Sequence, residues 1–191
     1  MMEIKLFEDY VLREVSAEQL TAVFDRYADE VFHEDIYIPV ESWLTEDQQA
    51  AQRGLARLLR ERYVLRTLIY KGEEVVGWHL GWQKEADTYY MTNTAVLPEY
   101  RGRGIYSEMV VAVIEYLRGK GFQKLTSRHH ASANTILTAK LRAGFQITGM
   151  EVDERFGILV CLSYLYNEKR RDAYRFRIGT KRPGEELKKF L

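Results

Sequence analysis

Apolar side chains recur along the chain with two periods, and the changes of period divide it into blocks. Ser16-Ala17-Glu18-Gln19 is a capping box, after which Leu20, Val23, Phe24, Tyr27 and Val31 share one face of a 3.6-residue repeat; this predicts a helix over 17–31. A second helical stretch follows Thr45, with Ala51, Leu55, Leu58 and Leu59 on one side and arginines on the other. From Tyr63 the pattern turns to β-branched and aromatic residues. Tyr63 to Tyr70, Val75 to Gln83 and Thr88 to Leu97 read as strands of an antiparallel meander, joined by Lys71-Gly72-Glu73-Glu74 and Lys84-Glu85-Ala86-Asp87. After Arg101-Gly102-Arg103-Gly104, the residues Ile105, Met109, Ala112, Val113, Tyr116 and Leu117 restore helical spacing up to a stop at Gly119 to Gly121. A strand near 122–130, a short helix from Asn134 to Ala143 stopped by Gly144, and strands near 145–153 and 156–166 follow. No repeat, low-complexity tract or Pro/Gly linker interrupts this order, so residues 1–166 read as a single α+β domain and 167–191 as a basic tail.

Composition narrows the class. The 191 residues carry 28 Lys plus Arg against 28 Asp plus Glu, which excludes a disordered polyelectrolyte. The neutral total hides an asymmetry: residues 1–62 hold 14 acidic and 7 basic side chains, and the remainder has the opposite excess. Within it, 91–145 holds eight Lys or Arg against Glu99, Glu108 and Glu115, which favours an anionic ligand there. One cysteine, Cys161, forms no internal disulfide, and four histidines with one thiol make no structural zinc site, so no metal is expected. The first ten residues lack the basic patch and apolar core of a secretory signal. The apolar runs Met109 to Ile114 and Ile158 to Leu162 fall short of the roughly 18 residues of a membrane helix. A cytoplasmic location with no membrane partner is the expectation.

The chemistry concentrates where Leu97-Pro98-Glu99-Tyr100 hands a glycine-bearing turn to a helix start. Free backbone N–H groups and the positive end of a helix dipole converge at such a junction, and glycine removes the Cβ that would hold a phosphate away. Arg101 and Arg103 add donors. The Gly-x-x-x-x-Gly-Lys-Ser/Thr loop of nucleoside triphosphatases is absent. Gly102-x-Gly104-x-x-Ser107 is one glycine short of a dinucleotide fingerprint, and the next strand ends in Arg128-His129-His130 rather than an acidic residue. A disordered RNA-binding segment is disfavoured because this stretch opens an amphipathic helix.

Arg101-Gly102-Arg103-Gly104-Ile105-Tyr106 resembles the Arg/Gln-x-x-Gly-x-Gly/Ala signature of the GNAT superfamily of acyl-CoA-dependent N-acyltransferases, with Tyr106 where the family has Gly or Ala. The preceding Asn93 to Tyr100 looks like that family's fourth strand, and Asn134 with Ala143-Gly144-Phe145 resembles its second signature. The resemblance covers about 63–166 well and 1–62 only in element order. It implies a mixed, mostly antiparallel sheet of six or seven strands flanked by about four helices, with splayed central strands. It also implies acetyl-CoA as cosubstrate. The backbone of Arg103, Gly104, Ile105, Tyr106 and Ser107, with Arg101 and Gly102, would hold the pyrophosphate; Ala95 and Val96 would pair with the pantetheine arm and acyl carbonyl; Asn134 would contact the arm from the other side.

Acyl transfer to an amine needs a neutral nucleophile, an oxyanion donor and a proton for the leaving thiolate. The family's usual tyrosine donor falls on Lys140 here, and its strand carboxylate is missing from Tyr89-Tyr90-Met91-Thr92-Asn93-Thr94. His129 and His130 end the fifth strand of that resemblance, on opposite faces, so at most one is the base; packing histidines are the alternative. Cys161, in an apolar strand, reads as a small buried hydrophobe. The function implied is transfer of an acetyl group from acetyl-CoA to a primary amine of a small molecule or peptide in a ternary complex. The alternative is a catalytically silent acyl-CoA-binding module. A homodimer stays open, and only Tyr174 and Phe176 punctuate the basic tail, which counts against nucleic acid. Asp29, Glu30, Glu34 and Asp35 would attract a cationic acceptor.

Overall fold

The computed structural model describes residues 2–32, 40–57, 59 and 61–190. Among them, eight strands form one sheet: β1 (Glu3–Lys5), β2 (Tyr10–Glu14), β3 (Val64–Lys71), β4 (Glu74–Glu85), β5 (Thr88–Val96), β6 (Lys124–His130), β7 (Gln146–Asp153) and β8 (Gly157–Leu165). The order is β1-β2-β3-β4-β5-β6-β8-β7, antiparallel throughout except for the parallel pair β5 and β6. Helices are α1 (Ala17–Val31), α2 (Glu46–Arg57), α3 (Ile105–Gly119), α4 (Asn134–Arg142), α5 (Glu168–Arg177) and the single turn α6 (Glu185–Lys188). The sheet exceeds the expected six or seven strands because β1 and β2 add a hairpin, three and five residues long, too short for a clear alternation. Two helices also form after 166.

Helix α1 begins where the capping box requires: Ser16 Oγ accepts from Gln19 N–H and Gln19 Oε1 from Ser16 N–H. Its Phe24 meets Trp78 of β4 edge-on at 5.8 Å. On the other face of the sheet, α3 buries Ile105, Met109, Val110, Val113, Ile114 and Leu117, each worth roughly 1.5–3 kcal/mol of apolar transfer. Helix α2 departs from expectation. Thr45 and Gln48 cap it reciprocally, yet it buries no residue, Leu55 and Leu59 are exposed, and Leu58 lies outside the described residues. Helix α5 is tied to the sheet by Arg171, which donates to the carbonyls of Leu165 and Tyr166, and by Tyr174, which donates to Ile147.

The parallel ladder is short. Thr88 to Met91 pair with Lys124 to Ser127, whereas β5 stays on β4 as far as Val96 and β6 stays on β8 as far as His130. Beyond Met91 and Ser127 the two central strands separate, each held by its outer neighbour. A bulge in the β4–β5 register sets Leu80 against Asn93 and Gly81 against Met91, which leaves Thr92 as the extra residue at the fork. No helix among the described residues is long and apolar enough to cross a membrane.

Candidate active site

The glycine turn stands at the open end of this fork. A one-turn 3₁₀ helix, Pro98–Tyr100, follows β5 and leads through residues 101–104 into α3. Gly102 and Gly104 have φ of 76° and 84°, a region that costs a side-chain-bearing residue roughly 1–2 kcal/mol. A Cβ built on either meets no protein atom within 4 Å, so the space above both backbones is open. From Gly102 to Ser107, six consecutive backbone N–H groups have no hydrogen-bond acceptor among the described residues; the first helical bond is Glu108 N–H to Gly104 carbonyl. That is an anion-binding nest at a helix N-terminus.

The two arginines shape the turn as well as charging it. Arg101 Nε donates to Val96 carbonyl at 3.2 Å, and its terminal nitrogen donates to Val31 carbonyl at the end of α1 at 3.1 Å. Arg103 donates to Glu99 carbonyl at 2.8 Å and lies over the Tyr100 ring. Each guanidinium keeps further N–H donors for a ligand. Ala95 and Val96 lie in the half of β5 that has left β6. Asn134 opens α4 from beyond the end of β6 and is exposed.

Near this region two enclosed polar atoms lack partners among the described residues: Thr92 Oγ1 at the fork and the Tyr106 hydroxyl in the first turn of α3. Tyr106 packs against the core, and burial raises its phenol. An unpaired buried hydroxyl costs roughly 1–3 kcal/mol. The open cradle and the free N–H groups fit the phosphates of CoA. The hollow of about 220 Å³ lined by Tyr63, Gln83 and Phe122 lies at the paired end of β5 and β6, away from this site.

Strand alternation separates the two histidines. His129 shares a face with Ser127, whose Oγ lies 3.1 Å from its Nε2, and burial, then the charges of Lys140 and His130, lowers it to about 3. His130 faces the other way, edge-on to Phe156. On that second face, Arg128 donates to the Tyr90 hydroxyl at 2.9 Å and pairs with Glu151 and Asp153 of β7. Cys161 is half-buried rather than enclosed: its thiol donates to Glu151 Oε2, and burial followed by the Glu151 charge raises it. A raised thiol is a poor nucleophile. Among the described residues no group of three or more His, Cys, Asp or Glu is placed to hold a metal.

Below the fork, on the His129 side, lies a cluster of which sequence reading singled out only His129 and, as the residue in the tyrosine slot, Lys140. His79 is fully buried, with Nδ1 2.8 Å from Thr94 Oγ1 and Nε2 3.0 Å from the Tyr89 hydroxyl. Burial, then Lys140, lowers it to about 3. Lys140 itself is 1% exposed. The sequence held a further signal of its burial: Lys140 follows Leu137 by three residues on the inward stripe of α4, where an apolar residue is the norm.

A mixed sheet forking between parallel central strands, with a glycine cradle at the mouth, defines an acyl-CoA-binding architecture. The model of the acetyltransferase (GNAT) family matches residues 20–145, and the chain belongs to this family of acyl-CoA-dependent N-acetyltransferases. No curated protein matches it in sequence. Among solved structures, the ribosomal-protein-S5-alanine acetyltransferase of Vibrio fischeri superposes with a TM-score of 0.65 at 11% identity, covering 88% of this chain and 98% of that one. Salmonella typhimurium yncA, solved with its cofactor acetyl-CoA, gives 0.60 at 16% identity over 84% and 96%. A spermidine N-acetyltransferase chimera from Vibrio cholerae and hSSAT gives 0.59 at 12% identity over 83% and 96%.

Proposed function

We propose that this protein transfers an acetyl group from acetyl-CoA directly to a primary amine of a small-molecule or peptide acceptor, in the cytoplasm. The observation that carries the reading is the run of six unpartnered N–H groups from Gly102 to Ser107 at the mouth of the β5–β6 fork. The backbone of Arg103 to Ser107 takes the pyrophosphate, supported by Arg101. Ala95 and Val96 offer a strand edge to the pantetheine arm and acyl carbonyl, and Asn134 meets the arm from the β6 side. The named acceptors of two structural neighbours, a ribosomal-protein alanine and spermidine, are both amines. Asp29 and Glu30, exposed in the last turn of α1, favour a cationic acceptor; Glu34 and Asp35 lie outside the described residues.

His130 is the base of this reading, because the imidazole of His129, with its pKa held near 3, is too weak a base to take a proton from an amine near neutral pH. Thiol release from acetyl-CoA across an amine panel, with calorimetry of acetyl-CoA binding in parallel, tests the function. Turnover with a cationic amine supports it; binding without turnover on any amine replaces it with a silent acyl-CoA-binding module. His130→Gln should lower kcat by roughly 10²-fold at constant affinity, and His129→Gln should stay within a few-fold of wild type. The opposite order would move the role to His129.

A further inference from the structure

Lys140 lies on the inward side of α4, and its ammonium nitrogen sits 2.8 Å from Met91 Sδ and 4.3 Å from the centre of the Phe145 ring. No carboxylate of the described residues pairs with it; burial alone shifts its ionisation. A charge so enclosed is unfavourable for folding, and an apolar side chain of the same length would pack there at less cost. Stability therefore does not explain its presence.

Its position suggests a reason. Met91 is the last β5 residue in register with β6, so the Lys140 nitrogen marks the closed end of the gap, while the glycine cradle marks the open end. The strand from Met91 to Val96 rises about 17 Å, a span that an extended pantetheine arm covers. A ligand with its pyrophosphate on the cradle brings its sulfur toward Lys140.

We propose that Lys140 is the proton donor to the departing CoA thiolate, an assignment that rests on the acetyl-transfer reading above. The acceptor amine forms a C–N bond with the thioester carbonyl carbon and gives up one proton to His130, the base assigned above. The C–S bond breaks with its electron pair going to sulfur, and the Lys140 ammonium passes a proton to that sulfur. His130 releases the amine's proton to solvent, and neutral Lys140 takes up one in exchange once the thiol has left the gap, so the net reaction is amine plus thioester to amide plus thiol. Burial lowers Lys140 to about 7, so it can both give and regain a proton near neutrality. The titratable groups that face it, His79 of β4 and His129 of β6, are neutral imidazoles held near 3 and do not compete as donors.

Wild-type binding and turnover are measured first, because their failure sinks the transferase reading itself. Lys140→Met keeps length and apolar packing but removes the proton. Its acetyl-CoA affinity should stay within about twofold, its kcat should fall by roughly 10²-fold, and the loss of wild-type kcat on raising pH through neutrality should disappear. Lys140→Arg keeps a charge that is not given up and should be as slow as Lys140→Met. Full turnover in Lys140→Met, rescue by Lys140→Arg, or loss of the low-pH limb instead of the high-pH limb would overturn the proposal.

Discussion

The first four residues of β5 and the last five meet opposite conditions within one strand. Thr88 to Met91 are paired on both sides, and the polar groups there are partnered: the Tyr89 hydroxyl lies 3.0 Å from His79 Nε2, and Thr88 Oγ1 donates to Asp87 at 3.0 Å. Around Tyr89 the rings of Tyr63 and Phe122 close a packed cluster. From Thr92 to Val96 only β4 holds the strand: Asn93 and Thr94 find partners in Trp78 and His79 of β4, whereas the Thr92 hydroxyl and the N–H groups of the turn that follows have none among the described residues. Where both edges are used, the strand builds stability. Where one edge is withheld, it leaves polar groups for a ligand to satisfy.

The largest effect should come from breaking the paired half. Tyr89→Ala, at a fully buried ring, should cost about 3–5 kcal/mol of stability, read as a lower denaturant midpoint. Gly104→Val breaks the open half instead: the fold should lose only about 1–2 kcal/mol for the left-handed conformation, while acetyl-CoA affinity falls at least roughly 100-fold, about 2.7 kcal/mol. An unchanged thermal shift with acetyl-CoA in Gly104→Val would remove the cradle from the site.

A third difference lies in the pH dependence of stability. Lys140 is lowered from 10.5 to about 7 in the folded protein, so between these values the unfolded chain binds one more proton and stability rises with pH; below 7 both states are protonated and the contribution is flat. Unfolding curves of wild type and Lys140→Met should diverge across that window by up to about 1.4 kcal/mol per pH unit. His79 and His129, lowered from 6.5 to about 3, act in a lower window: stability is lost as pH falls from 6.5 toward 3, because the unfolded imidazoles take up protons that the folded ones refuse. The smallest effect belongs to Thr92→Val, which removes an unpaired hydroxyl. The free protein should be unchanged or stabilised by up to about 1 kcal/mol, and acetyl-CoA affinity should fall by about two- to tenfold.

Local features of the sequence carried over into structure wherever one segment sufficed to determine them. The Ser16 box starts α1, the meander turns fall between β3, β4 and β5, and α3 begins at Ile105 directly after Gly104. The glycine turn was legible because a nest is built from consecutive residues. Periodicity could not show that the α2 stripe stays exposed, since an apolar face says nothing of what covers it. The cluster of His79, Met91, His129, Lys140 and Phe145 was hidden for a different reason. Its members come from β4, β5, β6, α4 and the residue before β7, and only the fork and the packing of α4 bring them together. The partners of Arg128 on β7, Glu151 and Asp153, were hidden in the same way, because β8 lies between β6 and β7 in the sheet.

The most direct measurement is a crystal structure of the full chain with acetyl-CoA. The expected density places the pyrophosphate on the N–H groups of Gly102 to Ser107, the pantetheine arm in the gap between β5 and β6, and the sulfur within hydrogen-bonding reach of the Lys140 nitrogen. Acetyl-CoA bound away from the fork, or entering it with its phosphates off the Gly102–Ser107 turn, would contradict the division of β5 into a structural half and a ligand-binding half.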